Sequence, residues 1–257
     1  MATREEFHQQ GEHILRQLQH PLVSNTDTTA SRSAPGATRL VTEVVFGAVW
    51  ARPGLGLQDR MVCTLSVLSV LQRLPQLSTY LNSALDIGMA PRTLQEVIIQ
   101  GALYAGFPTM GNSLRVARDV FEACNMVVPD TPIPDASLEE LDVKGREMMQ
   151  TLHGERSQSG YAAPDSPVTS ALYDVAIQYG YGDIWHRPDL DTRQRAICAV
   201  ASFTALNLVT QLEKFLQAAL NVGLSKDEVI EVLVQTAPYS GFPKALNALA
   251  LAEKVLG

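Results

Sequence analysis

The sequence predicts an all-α protein made of two tandem helical modules related by an internal repeat. Three observations carry that expectation. Apolar residues recur at helical spacing along most of the chain, and strand-like alternation is absent. The second half also repeats the first without a gap at an offset of 135 residues, with Trp50 over Trp185. Phe46-Gly47-Ala48-Val49-Trp50-Ala51-Arg52-Pro53 lies over Tyr181-Gly182-Asp183-Ile184-Trp185-His186-Arg187-Pro188. Leu55, Arg60 and Cys63 lie over Leu190, Arg195 and Cys198, and Gly88 over Gly223. Glu96, Gln100 and Tyr104 meet Glu231, Gln235 and Tyr239, and YAGFP at 104–108 meets YSGFP at 239–243. Chance does not align two tryptophans and two Gly-Phe-Pro tripeptides at one offset, so the chain is a duplicated module. The expected division is a first module at 1–125, a linker at 126–137 and a second module at 138–257.

The elements follow in order. Residues 58–73 are expected as a helix with Met61, Leu65, Leu68 and Gln72 on one face, and Arg60, Cys63 and Val67 on another. Pro75 opens the next helix, which Gly88 stops. Pro91 starts a third over 91–103, with Leu94, Ile98 and Ala102 spaced four apart. Gly106 and Pro108 interrupt the chain before a fourth over 109–123. The second module repeats the pattern at 190–207, 209–222, 225–237 and 243–256. Ser225 is a suitable N-cap there, with Glu228 at the capping-box position. Three prolines in VVPDTPIPDA, residues 127–136, mark a linker or surface crossover. Two polar stretches, 24–36 and 157–167, are expected as loops or as covers over a site.

Composition bounds the function. A chain of 257 residues with 46% hydrophobic and 18% charged residues is long enough for a sizeable core. Twenty Lys and Arg against 27 Asp and Glu give a net charge of −7, which argues against a nucleic-acid partner but leaves room for a local anion site. Three cysteines without a CxxC argue against a disulfide framework, a four-thiolate zinc site and a two-cysteine redox centre. The start, MATREEFHQQGEHILRQLQHPL, lacks a signal-peptide core, and no apolar run reaches transmembrane length. A cytoplasmic location with no membrane partner is expected. The five histidines form no HExxH or compact ligand set, so no metal is expected.

With FGAVWARPGLGLQDR, YGDIWHRPDLDTRQR, ALDIGMAPRTLQEVIIQGALYAGFP and AALNVGLSKDEVIEVLVQTAPYSGFP, the chain resembles a tandem member of the carboxymuconolactone decarboxylase family. KGREMMQTLHGE at 144–155 resembles the family's lead-in helix, and GEHILRQLQH at 11–20 its degenerate copy. The resemblance implies an all-α, cofactor-free enzyme that decarboxylates or isomerises small acidic ring compounds, or rearranges aromatic polyketide intermediates. Single-module members are hexamers, so a tandem chain is expected as a smaller homo-oligomer, a dimer or trimer. The decarboxylase branch carries a Glu and, four residues on, a His; here those positions are Gln76 and Tyr80, then Gln211 and Phe215. The CxxC of the peroxidase branch is missing too.

The residues themselves allow the following roles. Arg60 and Arg195 offer a guanidinium fork for a carboxylate or enolate, or else structural ion pairs. Arg52 and Arg187 are expected to hold their loops through backbone carbonyls. Glu96, Gln100 and Tyr104 form a helical stripe, as do Glu231, Gln235 and Tyr239. The glutamines and phenols suit an enolate oxygen, or links between helices within each module. Tyr80 is matched by Phe215, which has no proton to give, so the first module is the better catalytic candidate, with Gln76 one turn earlier. Convergence of Tyr80, Arg60 and Tyr104 on a cavity would favour catalysis. Cys63 and Cys198 are small core residues or arginine-activated thiols. His186 is a candidate acid or base found in the second module alone, and His153 a candidate ligand contact from the lead-in helix. Trp50 and Trp185 stack on a planar ring or anchor the packing.

Together these readings predict a cofactor-independent isomerase, tautomerase or decarboxylase acting through an enolate. Its expected partner is a small acidic or phenolic ring compound. The alternative is a non-catalytic binding or assembly protein of the same fold.

Overall fold

The computed structural model describes residues 2–21, 34–130, 132–133, 135–158 and 168–257. Most of the two polar stretches, 24–33 and 159–167, therefore lies outside the described residues. Among the described residues the chain forms twelve α-helices and no strand. In the first repeat these are α1 (Arg4–Gln17), α2 (Ala37–Val41), α3 (Leu57–Val70), α4 (Leu74–Asp86), α5 (Pro91–Ala105) and α6 (Phe107–Ala123). The second repeat supplies α7 (Leu138–His153), α8 (Ser170–Val175), α9 (Thr192–Leu206), α10 (Val209–Asn221), α11 (Lys226–Ser240) and α12 (Phe242–Leu256). The expected boundaries hold to within a few residues. One differs: α11 continues through Pro238 to Ser240 instead of stopping at 237. A proline there forfeits one hydrogen bond to the preceding turn, and the packed last turn tolerates the loss.

The centre of the fold is shared between the repeats. Helices α3 and α9 pack on each other, and each also packs on both α5 and α11. Every residue of α3 from Arg60 to Val70 is buried, and so is every residue of α9 from Arg195 to Ala205. The two-faced pattern expected for 58–73 is thus buried on both faces, as a helix enclosed on all sides must be. Small residues let these helices approach: Cys63 and Ser66 of α3 meet Cys198 of α9. One contiguous apolar cluster runs through both repeats, from Ile14 to Ala252.

The helix leading to each tryptophan is wound more widely than an α-helix. Helix α2 runs on into a π-helical segment, Thr42–Trp50, and α8 runs on into another, Ala176–Asp183. Each is clasped by a lead-in helix, α1 on the first and α7 on the second. The helices touch backbone to backbone at glycine. A Cβ on Gly47 would lie 2.0 Å from the Phe7 carbonyl oxygen, and one on Gly182 2.1 Å from that of Leu141. From the other side, a Cβ on Gly11 would lie 2.1 Å from Thr42 O, and one on Gly145 2.2 Å from Ile177 O. The equivalence of Gly11 and Gly145 makes α1 the structural counterpart of α7. Gly47→Ala is therefore expected to cost about 2–3 kcal/mol, because the neighbour is backbone and cannot yield. Urea denaturation of the variant checks this, with a change below ~0.5 kcal/mol ruling out so close a contact.

Candidate functional site

Each buried arginine reaches across to the other repeat. Arg60, on the first turn of α3, donates from Nη1 to Gln235 Oε1 at 3.0 Å and from Nη2 to Glu231 Oε2 at 2.9 Å. Nη2 also donates to the carbonyl of Arg52 at 2.7 Å. In the second copy Arg195 donates to Gln100 Oε1 at 2.9 Å, Glu96 Oε2 at 3.3 Å and the carbonyl of Arg187 at 2.8 Å. Arg52 clamps Glu231 at 3.0 and 2.6 Å, and Arg187 clamps Glu96 at 3.0 Å. Glu96 also receives Arg92 at 3.1 Å.

This geometry corrects two expectations. Glu96, Gln100, Glu231 and Gln235 link the two repeats, not helices within one repeat. Arg52 and Arg187 hold carboxylates, while it is Arg60 and Arg195 that bond the loop carbonyls. The arginine forks are thereby occupied by the protein itself, and Nε of each is buried without a hydrogen-bond partner. Burial pulls Glu231 up, but its bonds to Arg52 and Arg60 and their charge hold its carboxyl below the usual carboxylate range.

Beside each arginine lies an aromatic cluster, and the two clusters differ. In the first, Trp50 Nε1 donates to the Tyr239 hydroxyl at 2.7 Å, and the Tyr239 and Tyr80 hydroxyls are 2.7 Å apart. The Trp50 and Tyr80 rings stack at 6.0 Å, and Tyr239 meets Tyr80 edge-on at 5.4 Å. The His20 ring closes the group, 5.4 Å from Tyr80 and 5.1 Å from Phe46. In the second cluster Gln100 donates to the Tyr104 hydroxyl at 2.8 Å, and Tyr104 lies edge-on to Phe203 at 4.6 Å. Phe203 and His153 each meet Phe215 at 5.0 Å, and Trp185 stacks on Tyr181.

Tyr80 and Arg60 thus share a site with Tyr239, and Tyr104 sits with Arg195 instead. The expected grouping of Tyr80, Arg60 and Tyr104 fails because α5 and α11 each cross to the partner repeat. Burial pushes the phenols of Tyr80, Tyr104 and Tyr239 up from their ordinary value, so all three stay protonated and serve as donors. A cavity of about 20 Å³ borders Phe203 and Lys244, room enough for a water but not for a ring compound.

Other candidates are placed less favourably. His186 is exposed, with Nδ1 2.9 Å from the Tyr181 carbonyl, because its place after Trp185 turns it outward. Gln76, one turn before Tyr80, is also exposed. Cys63 and Cys198 are fully enclosed; burial raises the Cys198 thiol to about 11 and lifts Cys63 further, outweighing the nearby arginines. Neither is an activated thiol. Among the described residues no cluster of His, Cys, Asp and Glu gathers to hold a metal ion, and no helix is long and apolar enough to cross a membrane.

His153 has the sharpest electrostatic signature. Burial, then the charges of Lys214 and Arg156, lower it to about 4. Its neutral form is the folded one, so its contribution is complete above the ordinary histidine range. That contribution is lost as pH falls from about 6.5 toward 4, by at most ~1.4 kcal/mol per unit, because the unfolded chain takes up the proton first. His153→Gln is expected to flatten the pH dependence of unfolding free energy between 6.5 and 4. Identical slopes for variant and parent would show that His153 is charged in the fold.

Two contributors escaped the sequence reading. His20 stands in the sequence only as one of five histidines that form no metal-ligand set. His20 meets Tyr80 as His153 meets Phe215, but 133 residues separate the two histidines against 135 for the rest of the repeat, which hides the correspondence. Thr64, fully buried, accepts from Gln235 Nε2 at 3.1 Å. Its counterpart is Ala199, so the repeat comparison carried no signal for a hydroxyl there.

Comparison with known proteins gives a consistent picture. Residues 35–119 and 170–254 each match the model of the carboxymuconolactone decarboxylase family, and the two matches are separated by the same offset as the internal repeat. An 82-residue stretch, 32% of the chain, is 33% identical to 4-carboxymuconolactone decarboxylase of Acinetobacter baylyi and covers 61% of that protein. A 91-residue stretch, 35% of the chain, is 24% identical to nitrosuccinic acid decarboxylase of Metarhizium robertsii, covering 64% of it. An uncharacterised 15.0 kDa protein of Paracoccus denitrificans is 28% identical over 116 residues, 44% of the chain and 86% of that protein. The chain therefore spans about three-fifths of the length of the two decarboxylases it matches.

Proposed function

Since the chain belongs to the carboxymuconolactone decarboxylase family, we propose that it decarboxylates or tautomerises a small acidic or phenolic ring compound through an enolate, without a cofactor. The observation that carries this reading is the meeting of Tyr80, Tyr239, Trp50 and His20 in one aromatic cluster at the seam of the two repeats. Stacked rings suit a planar substrate, and a phenol kept protonated suits the oxygen on which charge develops. In decarboxylation the carbon–carboxylate bond breaks, CO2 leaves, and the electron pair passes to the enolate oxygen held by Tyr80. His20 then delivers a proton to carbon. In tautomerisation His20 takes the proton from one carbon and returns it to another. Phe215 lacks the hydroxyl, so the first site is the active one in this reading. Names of the relatives, 4-carboxymuconolactone decarboxylase and nitrosuccinic acid decarboxylase, support a small acid as substrate. A cytoplasmic dimer or trimer, with modules bounded at 1–125 and 138–257, completes the proposal.

The test is a panel of 4-carboxymuconolactone, nitrosuccinic acid, β-keto acids and phenolic acids, followed for CO2 release and for solvent deuterium entering carbon. Release of CO2 assigns a lyase, and exchange alone assigns a tautomerase. Inertness toward the whole panel, with no ring compound at Tyr80 in soaked crystals, favours the second reading, a binding or assembly protein. That reading is motivated by the two arginine forks, which the protein already occupies.

A further inference from the structure

On the reading above a small acid must reach the first site, where Arg60 is buried and its fork is filled by the protein. One of the groups that fill it is backbone: Nη2 donates to the carbonyl of Arg52 at 2.7 Å. That carbonyl belongs to the short loop 52–56 before α3, and Arg52, Pro53 and Gly54 on it are exposed. A single stretch of surface backbone therefore caps the guanidinium. Arg195 lies under loop 187–191 in the same way, 2.8 Å from the Arg187 carbonyl.

The two loops follow one path and are fastened differently. Each turns through a left-handed residue, Gly54 at φ +95° and Asp189 at φ +70°, and each buries a leucine, Leu55 or Leu190. In the second loop Arg187 clamps Glu96 at 3.0 Å, and Arg92 joins Asp189 at 3.4 Å and the same Glu96 at 3.1 Å. Asp191 also caps α9, accepting from the Gln194 N–H at 2.7 Å. In the first loop Arg52 clamps Glu231, but the other holds have no counterpart. Gly54 and Gly56 stand where Asp189 and Asp191 do, and Asp227 stands where Arg92 does. Gly56 accordingly leaves α3 without a side-chain cap. The clamp itself is wetter, with the Arg52 side chain 44% exposed against 17% for Arg187. Water competes for an exposed ion pair, and a missing cap removes a further hold. The Asp59–Arg193 pair ties the starts of α3 and α9 together and favours neither loop.

We infer that loop 52–56 opens as a local unit ahead of its counterpart, and that the Arg60 Nη2 it uncovers, together with the Arg52 guanidinium, binds the carboxylate of a small acid. The ligand oxygen takes the place of the Arg52 carbonyl, while Glu231 keeps its bond to Arg60 at 2.9 Å. A guanidinium bonds a carboxylate more strongly than a neutral carbonyl, which offsets the cost of opening. Glu231 and Tyr239 lie on one stripe of α11, two turns and roughly 12 Å apart. This is therefore an entry station on the way to the aromatic cluster, distinct from the place where Tyr80 acts. Arg195 stays covered, so one anion per chain follows.

Hydrogen exchange of the full-length protein without ligand tests the opening. The amides of Arg52 and Arg60 bond carbonyls at 3.3 and 2.9 Å, and their matched partners Arg187 and Arg195 bond the equivalent carbonyls at 3.4 and 2.9 Å. After correction for intrinsic rates, the first pair is expected to exchange at least about 10-fold faster than the second. Gly56→Asp combined with Asp227→Arg supplies the missing cap and arginine. Both positions accept the change, since a Cβ on Gly56 meets nothing within 4 Å and Asp227 is exposed. The double variant is expected to slow the first pair by about 10-fold and leave the second unchanged. Equal rates in the two loops, or no slowing in the double variant, overturns the unequal fastening. Titration with benzoate and its neutral analogue benzamide then tests the site. One benzoate per chain is expected, about 10-fold tighter than benzamide. The double variant is expected to weaken benzoate by the same factor as it slows exchange, because a ligand that binds the open form is diluted by the closed one. Replacing an acid by an arginine would by itself favour an anion, so that loss reports the loop. Two benzoates per chain, or an affinity that stays fixed while exchange slows, overturns the site. Benzoate binding that tracks the loop, in a protein inert to the whole substrate panel, keeps the inference and removes the catalytic reading. Turnover that the double variant leaves unchanged does the reverse.

Discussion

Glu96→Leu is expected to lower the unfolding free energy by about 3–5 kcal/mol, the cost of leaving a buried arginine without its carboxylate. Glu96 and Arg195 are both fully buried, and the same carboxylate receives Arg92 and Arg187. Leucine fills much of the volume but strands the Arg195 charge in the core at the joint between the repeats. For a chain of this size the change corresponds to a fall in Tm on the order of 10 °C. Glu231→Leu is expected to cost less, because the side chain of one of its partners, Arg52, is 44% exposed and regains water. Combining Arg195→Met with Glu96→Leu is expected to recover much of the loss, since a buried pair exchanged for apolar groups is often near neutral. A change below 1 kcal/mol for Glu96→Leu by urea denaturation would mean that water reaches Arg195.

Tyr80→Phe is expected to lower kcat/KM by about 100-fold on whichever substrate the panel identifies, the scale of one lost donor to a developing oxyanion. Stability is expected to change by less than ~1.5 kcal/mol, because the ring still stacks on Trp50 and meets Tyr239 edge-on. Tyr104→Phe is expected to fall by a smaller factor, since Tyr104 belongs to the cluster that carries Phe215. If Tyr104→Phe proves the more damaging change, the reacting centre lies in the second repeat. Side-by-side kinetics of the two variants at one pH decide the matter.

Much of the helical frame was legible because its signals are local. Prolines at 75 and 91, glycines at 88 and 223 and the Ser225–Glu228 box mark helix ends through backbone chemistry acting over a few residues. The stripe from Glu96 to Tyr104 was legible as a single helix face for the same reason. Its partner was not. Spacing along one helix says which side chains share a face, but not which helix that face meets. Arg60 and Gln235, 175 residues apart, meet only because α3 packs on α11 of the other repeat. The π-helical segments before Trp50 and Trp185 were likewise hidden, because apolar spacing does not report so local a change of winding; the lead-in helices pack against Gly47 and Gly182 within them.

By itself, then, the sequence determined the duplication, the all-α class, the family, and the asymmetry of Tyr80 against Phe215. All of these are properties of residue order and local periodicity. The tertiary structure decided that the arginines are bound internally, that His186 and Gln76 face outward, and that each cluster is built from both repeats. The physical reason is the exchange at the core. Both α5 and α11 pack on α3 and on α9, so each arginine finds its carboxylate and its amide in the opposite repeat. Burial then keeps the phenols protonated, a fact that depends on depth and not on sequence.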